Sequence, residues 1–257
     1  MSAKTPPMTV RHEGQLTYLT FSRPDKRNAI NDGTLDAMRD FFKAVPASTK
    51  VIVMSGEGGN FSAGLDLSEQ VQREAHEVMH HSRGWHAVMD MMRFGGRPIV
   101  AALNGAVMGG GLEIAVNCHV RVAEPNVKFR LPEGQRGIFV GGGATVNVGK
   151  IIGPDRFTEM MLTGRTYSGA EGTDLGLAHY LVDEGKALEK ATELALSICK
   201  NSSLVNYLII QSAARIANMS SADGLYTESL AAALSQTGPD AEEGLRAFLE
   251  KRAPNFS

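Results

Sequence analysis

Two short runs built only of apolar residues, Val51-Ile52-Val53-Met54 and Ile99-Val100-Ala101-Ala102-Leu103, break into glycine-bearing turns. Runs of this length bounded by turn chemistry read as buried strands. Residues 16–21 alternate Leu16, Tyr18 and Thr20 with Thr17, Leu19 and Phe21 after a turn at Glu13-Gly14, which reads as another strand. Residues 120–123 and 127–129 add two more short strands. Between them lie helical patterns. Asn31 or Asp32 caps a helix carrying Leu35, Met38, Phe42 and Val45 on one face, and a longer helix runs from about residue 68 to residue 93 before Gly95-Gly96-Arg97-Pro98 stops it. From residue 143 onward the periodicity is helical, with helices at 143–151, 155–162, 187–200, 204–217, 222–234 and 241–250. Strands alternating with helices, then helices alone, predict an α/β core in residues 1–200 and a helical appendage in residues 201–257.

The charge balance narrows the function. Twenty-six Lys and Arg against 28 Asp and Glu leave no basic excess for a phosphate backbone, so nucleic acid is not an expected partner. No apolar run approaches the ~20 residues of a membrane span, and residues 1–8 carry no apolar core of a secretory signal. Cys118 and Cys199 are too few for a disulfide framework, which points to a reducing, cytoplasmic compartment.

Several motifs invite a chemical reading. His76-Glu77-Val78-Met79-His80 matches a zinc-protease pattern by letter, with His86 as a third candidate ligand. The longer pattern needs glycine at position 83, where Arg83 stands, and the surrounding Gln70, Gln72, Arg73 and Glu74 read as a solvated helix; no metal is expected. Gly141-Gly142-Gly143 fits neither a P-loop nor a dinucleotide fingerprint, because Ala144, Val146 and Ile151 occupy positions those motifs require otherwise.

The strongest constellation is Asn104-Gly105-Ala106-Val107-Met108-Gly109-Gly110-Gly111-Leu112-Glu113. A buried strand leads through glycines into a helix, whose first amides point outward unpaired and carry partial positive charge. Such amides stabilise an oxyanion on a carbonyl. Glu113 in the first turn reads either as a helix-capping carboxylate or as a catalytic one. The segment Asn60-Phe61-Ser62-Ala63-Gly64-Leu65-Asp66 has the same shape and offers a second amide. A further acid, Glu133, follows the strand at 127–129; two carboxylates in one apolar pocket would supply an acid and a base.

These pieces resemble the crotonase superfamily, most closely its two-glutamate enoyl-CoA hydratases, along nearly the whole chain. The matching residues are Ser22-Arg23-Pro24 with Asn28-Ala29, residues 61–66, residues 104–113, Pro132-Glu133, Gly137-Ile138, Gly141-Gly142-Gly143, Leu162-Thr163-Gly164, Gly176-Leu177 and Ala247-Phe248-Leu249-Glu250-Lys251-Arg252. Glu113 and Glu133 stand twenty positions apart, as the hydratases' paired glutamates do.

The resemblance implies a spiral of ββα units with a C-terminal helical trimerisation region, assembling as a homotrimer or a dimer of trimers. It implies an acyl-CoA thioester as substrate, with coenzyme A part of that substrate and no separate cofactor. It places the oxyanion hole on the amides of Leu65 and Gly110. It makes Glu113 the residue that activates water for attack on the β-carbon, and Glu133 the one that protonates the α-carbon. Gly141 would position the water or Glu113 through its amide. Coenzyme A would be bordered by Lys26, Arg27, Ala29, Ala63 and Asp66, and by Phe248 and Lys251, commonly from a neighbouring subunit. Departures from the common pattern fall at Leu65, Arg130-Leu131, Val140 and Ala144-Thr145-Val146-Asn147, and point away from a generic fatty-acyl substrate. His80, His81 and Trp85 are candidates for the acyl pocket. An enoyl-CoA isomerase, which usually needs one carboxylate, and a hydratase/hydrolase of a substituted acryloyl-CoA are same-fold alternatives; a zinc protease is the alternative of another class.

Overall fold

Alternation along the apolar strands decides which helices cover the sheet. The computed structural model describes residues 6–69 and 72–256. Its elements run β1 (Met8–Glu13), β2 (Leu16–Phe21), α1 (Asp32–Lys43), β3 (Val51–Gly56), α2 (Ala75–Phe94), β4 (Ile99–Leu103), β5 (Ala106–Met108), α3 (Gly110–Ala115), β6 (Val120–Ala123) and β7 (Lys128–Arg130). They continue with α4 (Ala144–Ile152), α5 (Pro154–Thr163), β8 (Thr166–Ser168), α6 (Gly169–Asp174), β9 (Tyr180–Leu181), α7 (Ala187–Ile198), α8 (Ser203–Ile216), α9 (Ser221–Gln236) and α10 (Pro239–Leu249).

Six strands form one sheet in the order β1-β2-β3-β4-β6-β9, antiparallel at β1/β2 and parallel from there on. A second sheet, β5-β7-β8, is parallel at β5/β7 and antiparallel at β7/β8. From β4 to β7 the chain alternates between them: β4 and β6 enter the large sheet, β5 and β7 the small one. This is the ββα spiral.

Side chains on a strand alternate faces. Leu16, Tyr18, Val51, Val53, Val100, Ala102 and Val122 face α7, whose Ala187, Ala191 and Ala195 repeat every four residues and let the helix lie close. Leu19, Phe21, Ile52, Met54, Ile99, Ala101 and Leu103 face the other way, into a core shared with Leu35 and Met38 of α1 and Trp85, Val88, Met89 and Met92 of α2. Full burial of a large apolar side chain contributes roughly 1.5–3 kcal/mol, so this two-faced sheet is the rigid platform on which the connecting loops are held.

The structure corrects several expectations. The second half is not helical alone: β8 and β9 lie within it, and at three and two residues they are too short to show a pattern. β1 is a further strand that the sequence pattern does not predict; it is an edge strand whose residues after Met8 are exposed, so it lacks an apolar face. The helix expected from residue 68 begins at Ala75. Asp66 captures Ser68 instead, its Oδ1 accepting from the Ser68 amide at 3.1 Å and its hydroxyl at 2.6 Å, and this local bonding favours a tight 3-10 turn at Leu67–Glu69. Residues 70 and 71 of the expected helix lie outside the described residues. Of the two capping candidates for α1, Asn31 takes the role, its Oδ1 accepting from Thr34 N at 2.9 Å; Val45 falls beyond that helix.

Candidate active site

Two loops bring two backbone amides side by side. After β3 the segment 62–66 is pinned on both edges. Ser62 N donates to Ala106 O at 2.8 Å and Met108 N to Ser62 O at 3.1 Å; Ile30 N donates to Gly64 O and Asp66 N to Ile30 O, each at 2.8 Å. Leu65 N, between them, has no protein acceptor among the described residues. The second loop follows β5, where Gly109 adopts φ 50° and α3 starts at Gly110. As the first residue of a helix, Gly110 has no intrahelical acceptor for its N–H. A Cβ placed on Gly110 would stand 3.6 Å from Leu65 N, so the two amides are neighbours.

Both glutamates reach this spot. Glu113, in α3, is buried, and its Oε1 accepts from Gly142 N at 2.8 Å and Ala144 N at 2.9 Å. Glu133 opens a short 3-10 turn at Glu133–Arg136 after β7. Its Oε1 lies 2.6 Å from where a Cβ on Gly109 would be, and its Oε2 is buried with no partner among the described residues. Burial is the largest influence on both. It raises the Glu113 carboxyl above the ordinary range against the opposing pull of the Ala144, Gly142 and Gly143 amides. It lifts Glu133 to about 7, with the nearby Glu113 charge adding and Arg136 opposing.

The two carboxylates, Leu65 and Gly110 line one cavity of about 230 Å³. A wider and shallower depression of about 480 Å³ lies between Arg156, Glu159 and Arg165, but there Tyr167 Oη is bonded to Glu159 at 3.1 Å and Arg165 to Glu171 at 3.4 Å, so its polar groups are occupied with one another.

The remaining candidates divide into three groups. Gly141 lines the cavity, yet the amides on Glu113 are those of Gly142 and Ala144, one and three positions later; the Gly141 carbonyl accepts from Ser82 Oγ at 2.7 Å. Lys26, Arg27, Ala29, Ala63 and Asp66 lie on the two segments joined at the Ile30–Leu65 bridge and do not line the cavity. Ala63 N donates to Arg27 O at 2.9 Å, the Lys26 ammonium approaches Ser68 Oγ at 3.5 Å, and the buried Asp66 pairs with Arg23 at 2.7 Å. Phe248 and Lys251 do not line the cavity; Phe248 is 79% exposed near the end of α10, which packs on α9.

His81 and Trp85 line the cavity, whereas His80 is exposed on the other side of α2. Val78, Ser82 and Arg73 join them, and Ile138, Phe139 and Val140 close another wall. The spacing Val78, His81, Ser82, Trp85 is that of one helix face and is readable from the sequence. Of the zinc-like letters, Glu77 accepts from Glu74 N at 2.8 Å as a helix cap and His76 and His80 are exposed; among the described residues no three His, Cys, Asp or Glu side chains are grouped to hold a metal.

Comparisons with known proteins match nearly the whole chain. The family model for enoyl-CoA hydratase/isomerase matches residues 11–257. A solved structure from Rhodopseudomonas palustris superimposes with a TM-score of 0.93 at 44% identity, covering 95% of each chain. The mevalonyl-coenzyme A hydratase of Aspergillus fumigatus is 32% identical over 94% of this chain and 91% of its own. An enoyl-CoA hydratase of Mycobacterium tuberculosis is 30% identical over 98% of this chain and 96% of its own.

Proposed function

The chain belongs to the enoyl-CoA hydratase/isomerase family and is an enoyl-CoA hydratase, and we propose that Glu113 and Glu133 carry its chemistry beside a hole formed by the Leu65 and Gly110 amides. The observation that supports this most is the pair of buried glutamates in one cavity, one tied by two amides and the other with an oxygen that has no partner among the described residues.

The thioester carbonyl oxygen accepts from Leu65 N and Gly110 N, which polarises the conjugated double bond. Glu113, held in place by Gly142 and Ala144, takes a proton from water as its oxygen attacks the β-carbon. Negative charge gathers on the thioester oxygen as an enolate, where fixed amides stabilise it without reorganising. Glu133 then gives its proton to the α-carbon. Hydroxyl on one carbon and hydrogen on the next complete the addition, and the two carboxyls re-equilibrate through water. The reaction is redox-neutral, and the two amides polarise the thioester and take up the enolate charge, so these steps call on no separate cofactor. A site serving only as an isomerase has less use for a second buried acid.

The acid must be protonated to act. Hydration kcat/KM is therefore expected to fall about tenfold per pH unit once Glu133, which titrates at about 7, has lost its proton. The loss of enoyl-thioester absorbance measured across pH 5 to about 9 checks this; a profile without a basic limb would remove Glu133 from the role of acid.

We further propose a core of residues 1–200 that holds the acyl-CoA site and a region of residues 201–257 that mediates assembly. Leu225, Tyr226, Leu230 and Leu234 of α9 and Leu245, Phe248 and Leu249 of α10 are all exposed in the single chain. An apolar surface of this extent is favourable to bury between subunits, at ~25 cal/mol per Å². A homotrimer or a dimer of trimers covers it and carries Phe248 and Lys251 toward a neighbour's coenzyme A. Sedimentation of the intact protein should give a trimer or hexamer, and a chain ending before α10 should bind acyl-CoA at least tenfold more weakly. A stable monomer, or undiminished binding after truncation, counts against the corresponding half. Cys118 and Cys199 are free and buried, and no helix among the described residues is long and apolar enough to cross a membrane, which fits a cytoplasmic enzyme.

A further inference from the structure

The cavity changes character along α2. Trp85 marks its reacting end, because the ring lies 2.8 Å from where a Cβ on Gly110 would be and 3.1 Å from one on Gly142. His81 sits one turn toward the helix N-terminus, ~6 Å along the axis at the usual rise. Arg73 reaches the same cavity from the segment ahead of the helix. Both are bound to one acid: Arg73 Nη2 donates to Asp32 Oδ2 at 2.8 Å, and His81 Nε2 lies 2.9 Å from Asp32 Oδ1. Asp32 is largely exposed and does not line the cavity, so it holds the two from the solvent side. The other guanidinium N–H groups of Arg73 and the Nδ1 of His81 have no protein partner among the described residues.

We infer, on the strength of the hydratase reading above, that Arg73 and His81 recognise a carboxylate at the far end of the acyl group, so that the preferred substrate is a short enoyl-CoA ending in an acid rather than a methyl. An apolar tail lying against a guanidinium strips it of water without replacing the lost hydrogen bonds. A carboxylate accepts from the Arg73 N–H groups that Asp32 leaves unused, and from Nδ1 of His81 when the ring carries both protons; such charge-assisted bonds are stronger than neutral ones. Asp32 fixes the side chains in advance, which lowers the ordering cost of recognition. The volume of about 230 Å³ suits a short chain.

The test compares two six-carbon (E)-2-enoyl-CoA substrates, one ending in a carboxylate and one in a methyl. The wild-type kcat/KM should favour the carboxylate at least tenfold. Arg73→Gln should reduce that ratio at least tenfold, chiefly through KM, His81→Gln should reduce it in the same direction, and Arg73→Lys should restore part of it. A preference for the methyl-ended substrate, or a ratio that neither Arg73→Gln nor His81→Gln moves, overturns the inference while leaving the hydratase reading intact. Turnover of neither substrate overturns the hydratase reading and this inference with it.

Discussion

Glu133→Gln is expected to lower hydration kcat by a factor on the order of 10³, and Glu113→Gln by a similar factor, because each removes a positioned proton carrier whose contribution is typically 10²–10⁴. The amide is nearly isosteric, so folding should survive in both. In Glu113→Gln the side-chain oxygen can still accept from Gly142 N and Ala144 N, which keeps the geometry while removing the proposed base. Glu133→Gln carries a second, opposite signature. The Glu133 carboxyl titrates at about 7 in the folded protein, against about 4.3 for an unperturbed glutamate. Between those values the native state holds a proton that the unfolded chain has released, so this residue lowers stability as pH rises through that window. The glutamine variant escapes the effect. It should be more stable than wild type at pH 8, by roughly 1–3 kcal/mol, with the gap closing as pH falls toward the unperturbed value. Thermal melts at the two pH values, run beside turnover, measure both. Turnover near the wild-type rate in either variant ends the two-glutamate mechanism.

That pairing shows how far the sequence can be read. The apolar runs of β3 and β4 and the glycines before α3 are plain in it, since burial and turn chemistry are local properties of the chain. Which amides hold Glu113 is not, because Gly142 and Ala144 reach it only after the chain has passed through the small sheet and returned in the loop ahead of α4. The family resemblance points at Gly141, one position away. The start of α2 departs from its periodicity because an aspartate outside the helix, Asp66, competes for Ser68, and periodicity carries no record of that competition. β8 and β9 exist by pairing with β7 and β6, not by patterns of their own. The end of the cavity lined by Arg73 and His81 depends on Asp32 in α1 meeting both across the fold, and nothing in their spacing announces it.

Gly64→Ala should nearly abolish the proposed oxyanion hole while leaving both glutamates in the protein. Gly64 has φ 90°, and a Cβ there would lie 2.6 Å from Met108 O and 3.1 Å from Gly110 N. Neither neighbour is a flexible side chain. The methyl can be accommodated only by moving the two loops apart, and with them the Leu65 and Gly110 amides. Loss of one hole donor generally costs 10²–10³ in kcat, and misplacing both should cost at least the upper figure. Backbone strain adds a loss of ~1–3 kcal/mol in stability, so a fall in activity alone is ambiguous. Gly185→Ala separates the two effects. Gly185 has φ 77° in the loop before α7, and a Cβ there would meet nothing within 4 Å. It should therefore show the strain and not the displacement. Stability losses of similar size in the two variants, with kcat reduced only in Gly64→Ala, locate the rate effect in the amides. Equal kcat losses in both would instead trace it to general destabilisation and leave the hole without support from this residue.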